Sequence, residues 1–139
     1  LGLYMVTKLN EMGEFGETDL MENYVTFMAG IFRSVRFGAA SSHGKANMVR
    51  FNYFLEKEAF KKDSDGNYSI DFEKMKTASE GLSSLILGIQ GDGDYEAAKN
   101  LIETMGVINA DLQADLDRID AAGIPTDIIF KQGPEYVGL

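Results

Sequence analysis

The sequence predicts a mainly α fold, a helical bundle-like subdomain of about six helices with one small β-hairpin. Apolar residues recur every three or four positions in successive stretches, which is the spacing of one buried helix face. Breaks that contain glycine separate these stretches, and one pair of short segments around the letters DSDG has the pattern of a hairpin. The 139 residues predict one domain, residues 1–139, long enough to bury a core without a disulfide or a metal.

Composition limits the partners and the compartment. The chain has 13 basic and 22 acidic residues and a net charge of −9, which argues against nucleic acid or an anionic membrane as a partner. No run of residues is apolar enough to span a membrane. The absence of cysteine excludes disulfides and thiolate ligands and agrees with a reducing compartment. We therefore expect a cytoplasmic protein with no nucleic-acid and no membrane partner.

The first element, LGLYMVTKLNEMG, is apolar from Leu1 onward and has neither an initiator methionine nor a capping residue. Helices usually begin after Ser, Thr, Asp or Asn, so this element starts without the usual signal. We expect the chain to be a fragment of a larger protein, with an apolar patch exposed where upstream helices would pack. The patch would include Leu1, Leu3, Tyr4 and Val6.

Each later helix begins at a residue that can cap it. Asp19, with Glu22 three residues on, resembles a capping box for the second helix. Ser41 or Ser42 can cap the third helix, which runs to about Glu58.

The second half of the chain follows the same rule after the hairpin segments AFKK and NYSID. Asp71, Asp94 and Asn109 can cap the fourth, fifth and last helices, and the letters AAGIP end the last one. The letters TDIIF, residues 126–130, are a candidate for a short C-terminal strand.

The segment KDSDGNYSIDFE has the composition of a calcium-binding loop but the wrong spacing. An EF-hand loop needs its glycine sixth and a bidentate glutamate twelfth. Counting from Asp63 places Gly66 fourth and Lys74 twelfth, and counting from Lys61 places Phe72 last. A plain hairpin turn is the better interpretation.

Two other stretches also favour structural interpretations. The letters QGDGDYE could indicate a phosphate site at a helix start, but Asp92 and Asp94 would repel the anion, so a turn between helices is favoured. The letters ADLQADLDRID repeat aspartate beside an apolar stripe, which is typical of a solvated helix face. These aspartates are Asp111, Asp115, Asp117 and Asp120.

The third helix carries a polar stripe on an otherwise apolar surface. His43, the single histidine, shares one face with Asn47 and Arg50 at i, i+4 and i+7. One interpretation is the wall of a cavity. The other is that His43 caps the helix or bonds locally while Arg50 reaches solvent. Spacing alone favours the second.

The segment VRFGAASSHGKANMVRFNYFLEKEAF resembles the C-terminal catalytic region of the dipeptidyl peptidase III family, zinc-dependent exopeptidases that release dipeptides from peptide N-termini. The likeness is strongest to bacterial-type members and extends over nearly the whole chain. The opening LGLYMVTKLNEMG resembles the stretch just after the third zinc ligand of the family, a glutamate. The segments IQGDGDYEAAKNLIETMG and ADLQADLDRIDAAGIP resemble its later part.

The resemblance implies a two-lobed parent enzyme whose mostly helical zinc lobe includes this region. The His-Glu-x-x-x-His helix of the family and its third ligand would lie upstream of Leu1. Zinc is therefore the expected cofactor of the parent, with none bound by this chain, and we expect the chain alone to be inactive. The implied partners are a peptide substrate and the remainder of the parent chain.

The resemblance assigns His43 as catalytic and Asn47 as substrate-binding. The family's histidine at the position of His43 donates a hydrogen bond to the scissile carbonyl oxygen as charge develops there, a contact that helps most where water is excluded. Animal members carry arginine at the position of Asn47, which can still hydrogen-bond substrate. Their late carboxylate-binding arginine has no clear counterpart, and Lys131 is only a candidate. The alternatives are a non-catalytic helical interaction module or part of a multidomain hydrolase.

Overall fold

A computed structural model describes residues 1–14, 19–128 and 130–137. Over these residues the chain has six helices of ten residues or more, a seventh of four residues, and one two-stranded sheet. The predicted mainly α fold with one hairpin is confirmed. The elements are α1 Gly2–Glu11, α2 Leu20–Val35, α3 Ser42–Glu56, β1 Phe60–Lys62, β2 Tyr68–Ile70, α4 Phe72–Asp92, α5 Tyr95–Met105, α6 Ala110–Ala121 and α7 Pro134–Val137.

The predicted capping residues begin their helices because each side chain accepts a free backbone N–H of the first turn. Asp19 accepts from the amide of Met21 at the start of α2. Asp71, Asp94 and Asn109 do the same at the starts of α4, α5 and α6. Helix α1 has no side-chain cap, as its sequence predicts.

Helix α3 runs through the middle of the core and packs against α2, α4 and α5. Its Met48, Phe51 and Phe54 are almost fully buried. Phe60 of β1 packs beside two of these rings, 5.9 Å from the Phe51 centroid and 5.2 Å from that of Phe54. Burial of large aromatic side chains supplies much of the stability of such a core, so the central part of α3 is held rigidly.

The hairpin is antiparallel, with Phe60 opposite Ile70 and Lys62 opposite Tyr68. Its turn is closed by Asp63, whose Oδ1 accepts the amides of Asp65 and Asn67 at 2.9 and 2.8 Å. The preferred hairpin interpretation of this segment is therefore confirmed. The turn between α4 and α5 is confirmed as well, with Gly93 in the left-handed conformation at a φ of 64°.

The prediction of a solvated aspartate face on α6 is wrong at one position. Asp115 is buried, with 5% of its surface exposed. Its Oδ2 accepts the Tyr68 hydroxyl at 2.8 Å and lies 2.7 Å from Lys62 Nζ, and its Oδ1 lies 3.3 Å from Arg118. The carboxylate therefore joins α6 to the hairpin. Burial raises the pKa of the Tyr68 hydroxyl, and the Asp115 carboxylate raises it further.

The candidate C-terminal strand is not present in residues 126–128 and 130, and Ile129 lies outside the described residues. The guanidinium of Arg36 donates hydrogen bonds to the backbone carbonyls just before this segment. It donates to Pro125 O at 2.9 Å, to Ile124 O and to Asp120 Oδ1. These contacts hold the backbone at residues 124 and 125 by the side chain of Arg36 rather than by strand pairing. In the described part of the chain, no helix combines the length and apolar character needed to cross a bilayer.

Candidate functional site

His43 is the second residue of α3, and its side chain is exposed. The described residues provide it with no hydrogen-bond partner and no ion pair. The cap of α3 is Ser41, whose Oγ accepts the amide of Gly44 at 3.0 Å. The interpretation of His43 as the capping residue is therefore wrong, and its ring is free to contact another group.

Gly44 explains why the first turn of α3 lies where it does. This residue is buried, and a Cβ there would lie 2.6 Å from Ala39 Cα and 2.7 Å from Gly38 O. Distances this short exclude any side chain unless the backbone moves. The glycine lets α3 begin directly against the loop that follows α2, and this contact sets the position of His43.

Asn47 lies one turn further along α3 and is half-buried. Its Nδ2 donates to Ser34 Oγ of α2 at 2.8 Å, and its Oδ1 accepts from Arg50 Nη1 at 2.9 Å. The side chain is therefore held from both sides in one orientation. A primary amide has two N–H donors and a carbonyl with two lone pairs, so one donor and one lone pair remain for a ligand.

The structure brings two of the three residues of the predicted polar face into contact. Asn47 and Arg50 are hydrogen-bonded, whereas His43 is bonded to neither. Arg50 is exposed, as the local interpretation predicts. It also lines a groove of about 250 Å³ together with Leu1–Tyr4 at the start of α1. The start of α1 and the polar face of α3 therefore border the same groove.

The described residues include no set of side chains that fits a zinc ion. In the described ranges, no group of three or more His, Cys, Asp or Glu side chains is arranged to hold a metal. Structural and catalytic zinc sites use at least three protein ligands, and His43 belongs to no such group among the described residues. Lys131, the candidate for a late carboxylate-binding group, lies over the ring of Tyr136 at 5.9 Å.

Sequence reasoning missed the contacts that hold the site from other helices. Ser34 is 13 residues from Asn47 and looks like an ordinary helix residue in the sequence. Arg36 was not singled out either, although its side chain has only 8% of its surface exposed. One signal was available for Gly44, because glycine inside a predicted helix often marks close packing.

Comparison with known proteins gives three similar chains. No protein-family model matches. A curated relative from Arabidopsis thaliana, named Nudix hydrolase 3, is 39% identical over 128 residues. The structure of DPP III from Caldithrix abyssi has a TM-score of 0.84 and 40% identity over 91% of this chain. The structure of dipeptidyl-peptidase III from Corallococcus sp. strain EGB has a TM-score of 0.83 and 31% identity over 92% of this chain.

The similarity covers nearly all of this chain but a small part of each relative. The chain spans 17% of the Arabidopsis protein and 24% of each solved chain. The predicted resemblance to dipeptidyl peptidase III is confirmed by the two structures.

Proposed function

Because this chain has the fold and much of the sequence of about one quarter of dipeptidyl peptidase III, we propose that it is part of the catalytic region of a larger peptidase of that kind. The parent removes dipeptides from the N-termini of peptides. The observation that carries the proposal is the match to the Caldithrix abyssi structure, at 40% identity over 91% of this chain.

In this proposal His43 stabilises the transition state. Peptide hydrolysis places negative charge on the scissile carbonyl oxygen, and a donor aimed at that oxygen stabilises the charge. The exposed ring of His43 supports this role, because no group among the described residues competes for its N–H. The packing of Gly44 against Ala39 supports it too, since it fixes the backbone that carries the ring.

Asn47 positions the substrate. Its amide is oriented by Ser34 and Arg50 and keeps one N–H for a peptide carbonyl. A bond of this kind forms in the ground state and persists in the transition state. Its loss is therefore expected mainly in KM.

The proposed parent supplies the zinc from its own upstream residues. The described part of this chain has no set of ligands that fits the ion. By resemblance, the His-Glu-x-x-x-His helix and a further glutamate hold it. The position of Leu1–Tyr4 beside Arg50 supports this arrangement, because the resemblance places the third ligand just before Leu1.

The test uses the full-length parent with His43→Ala and Asn47→Ala, assayed for dipeptide release from a chromogenic substrate. His43→Ala is expected to lower kcat and kcat/KM together by about 10²–10³. Asn47→Ala is expected to cost less and to act mainly on KM. Zinc content and melting temperature serve as controls for both variants. Normal kcat in His43→Ala, or a loss explained by unfolding, would contradict the catalytic role.

The Arabidopsis relative favours a second candidate, a parent with an additional hydrolase domain. That protein is named a Nudix hydrolase, and this chain spans only 17% of it. The upstream sequence of the parent separates the candidates. A His-Glu-x-x-x-His helix and a glutamate with no further hydrolase domain support a parent that is a peptidase alone, whereas a further hydrolase domain in the same parent supports the second candidate.

A further inference from the structure

A second groove opens between α3, α4 and α5. Its volume is about 450 Å³, within the range of ordinary ligand sites. Its floor is apolar and combines residues of three helices, and neither His43 nor Asn47 lines it. Ile102 has 43% of its surface exposed in this groove. The apolar residues of the floor are Val49, Ile86, Leu101 and Ile102.

Two cations at the edge of this groove lack carboxylate partners. Nine of the 13 lysines and arginines form ion pairs within the described ranges. Lys45 and Arg50, both on α3, are among the four that do not, and both line this groove. Arg50 uses Nη1 to reach Asn47, which leaves its other N–H groups free. Lys45 and Arg50 differ from the other two in that both stand beside the apolar floor, so the groove is complementary to a ligand that is apolar on one side and anionic at its edge.

We propose that this groove binds an acidic amphipathic helix of a partner protein, with apolar side chains on the floor and carboxylates at Lys45 and Arg50. The two residues are five positions apart on α3, which is an axial rise of about 7.5 Å. Carboxylates four positions apart on the partner helix rise by about 6 Å and can reach both cations. Packing an apolar helix face into a groove is a common recognition mode.

Charge also decides the class of partner. A net charge of −9 repels an extended polyanion such as nucleic acid or an anionic lipid surface. A helix with two localised carboxylates gains two short contacts and buries apolar surface as well. The two sites share Arg50, whose Nη1 bonds Asn47, but the test below measures peptide binding and not dipeptide release, so the failure of one proposal is distinguishable from the failure of the other.

The probe is a fluorescein-labelled helical peptide of about 14 residues, with leucines along one face and two glutamates four positions apart. The matched control replaces both glutamates with glutamine. Fluorescence anisotropy with the full-length parent is expected to give about tenfold tighter binding for the glutamate peptide, since exposed ion pairs each contribute a factor of up to about five. No binding of either peptide to the parent would overturn the proposal, because the remainder of the parent chain would then cover the groove. Amide shifts in NMR are expected to cluster at Lys45, Arg50 and Ile102. Equal binding of the two peptides would overturn the proposal.

Variants locate the site on the protein. Lys45→Glu and Arg50→Glu are each expected to lower the affinity for the glutamate peptide several-fold. Ile102→Asp is expected to lower the affinity for both peptides. Lys99→Glu is the matched control, because this cation is exposed and forms no ion pair with the described residues but does not line the groove. An equal loss of affinity for the glutamate peptide in Lys99→Glu would mean that the peptide is attracted nonspecifically by positive charge, and it would overturn the proposal. Self-association that Ile102→Asp abolishes would also overturn it, because a second copy would then fill the groove.

Discussion

The side chain of Asn47 on α3 donates a hydrogen bond to the hydroxyl of Ser34 on α2, with 2.8 Å between Nδ2 and Oγ. Both residues are half-buried, so the bond is shielded from competing water. It ties α3, which carries His43, to α2. The orientation proposed for substrate binding is thus fixed by a residue outside α3.

A double-mutant cycle tests this link. Asn47→Ala and Ser34→Ala are each expected to lower the free energy of unfolding by about 1 kcal/mol. The double variant should lose less than the sum, with a coupling energy of about 0.5–1 kcal/mol. Urea unfolding followed by circular dichroism measures all three. Thr104→Ala is the control partner, because its hydroxyl bonds only within α5, and it should show no coupling to Asn47.

The start of α3 gives a second prediction. Ser41→Ala removes the side chain that accepts the Gly44 amide and should cost about 1 kcal/mol of unfolding free energy. His43→Ala removes an exposed side chain without a partner in the described structure and should change stability by less than about 0.5 kcal/mol. Thermal and urea unfolding of both variants checks this. A larger loss of unfolding free energy in His43→Ala than in Ser41→Ala would indicate that His43, and not Ser41, caps α3.

The features predicted correctly from the sequence, such as the helix caps, depend only on residues that are close in the sequence. Asp71, Asp94 and Asn109 were recognised as caps because a cap needs only its own helix. The bond from Asn47 to Ser34 joins two helices, and the alignment of those helices is set by packing of the whole core. No local pattern specifies it.

Two errors have the same physical origin. Asp115 follows the spacing of its exposed neighbours, and only the hairpin, some 47 residues away, brings Tyr68 to it. The segment 126–130 has the composition of a strand, but the backbone just before it, at Pro125, is held by Arg36, 89 residues away. Partners this distant in sequence appear only when the helices are assembled.

Gly44 gives a third prediction. Gly44→Ala places a methyl group 2.6 Å from the backbone of Ala39, and the resulting strain should lower the unfolding free energy by about 1–3 kcal/mol. Gly30→Ala is the matched control, because Gly30 lies inside α2 and the added Cβ would have no atom within 4 Å apart from its chain neighbours and the backbone of its own helix. It should stabilise the chain by about 0.5–1 kcal/mol. An equal change of unfolding free energy in the two variants would contradict the prediction, because a methyl group at Gly44 would then not clash with Ala39.

Asp115 gives a fourth prediction. Asp115→Asn removes the charge that Lys62 and Arg118 face and weakens the acceptor for Tyr68. The free energy of unfolding should fall by about 2 kcal/mol at neutral pH. This is below the cost of breaking a fully buried ion pair, because both cations are partly exposed. Asp117→Asn is the control, since Asp117 is exposed and accepts only from Gln113. Its effect should be within about 0.5 kcal/mol.

The contribution of Asp115 should also depend on pH in a defined direction. Burial alone would raise the pKa of its carboxyl, but the hydrogen bonds from Lys62 and Tyr68 outweigh burial and lower the pKa below its usual value. A group with a lowered folded-state pKa stabilises the fold above its unfolded pKa, near 3.9, and loses that contribution as the pH falls through the folded value. The stability difference between wild type and Asp115→Asn should therefore be constant from about pH 7 to pH 5 and shrink below about pH 4. Urea midpoints measured across this range test the prediction, with Asp117→Asn run in parallel. A difference that grows on acidification would mean that the carboxyl is protonated more readily in the folded chain, and the ion pair with Lys62 would then not hold.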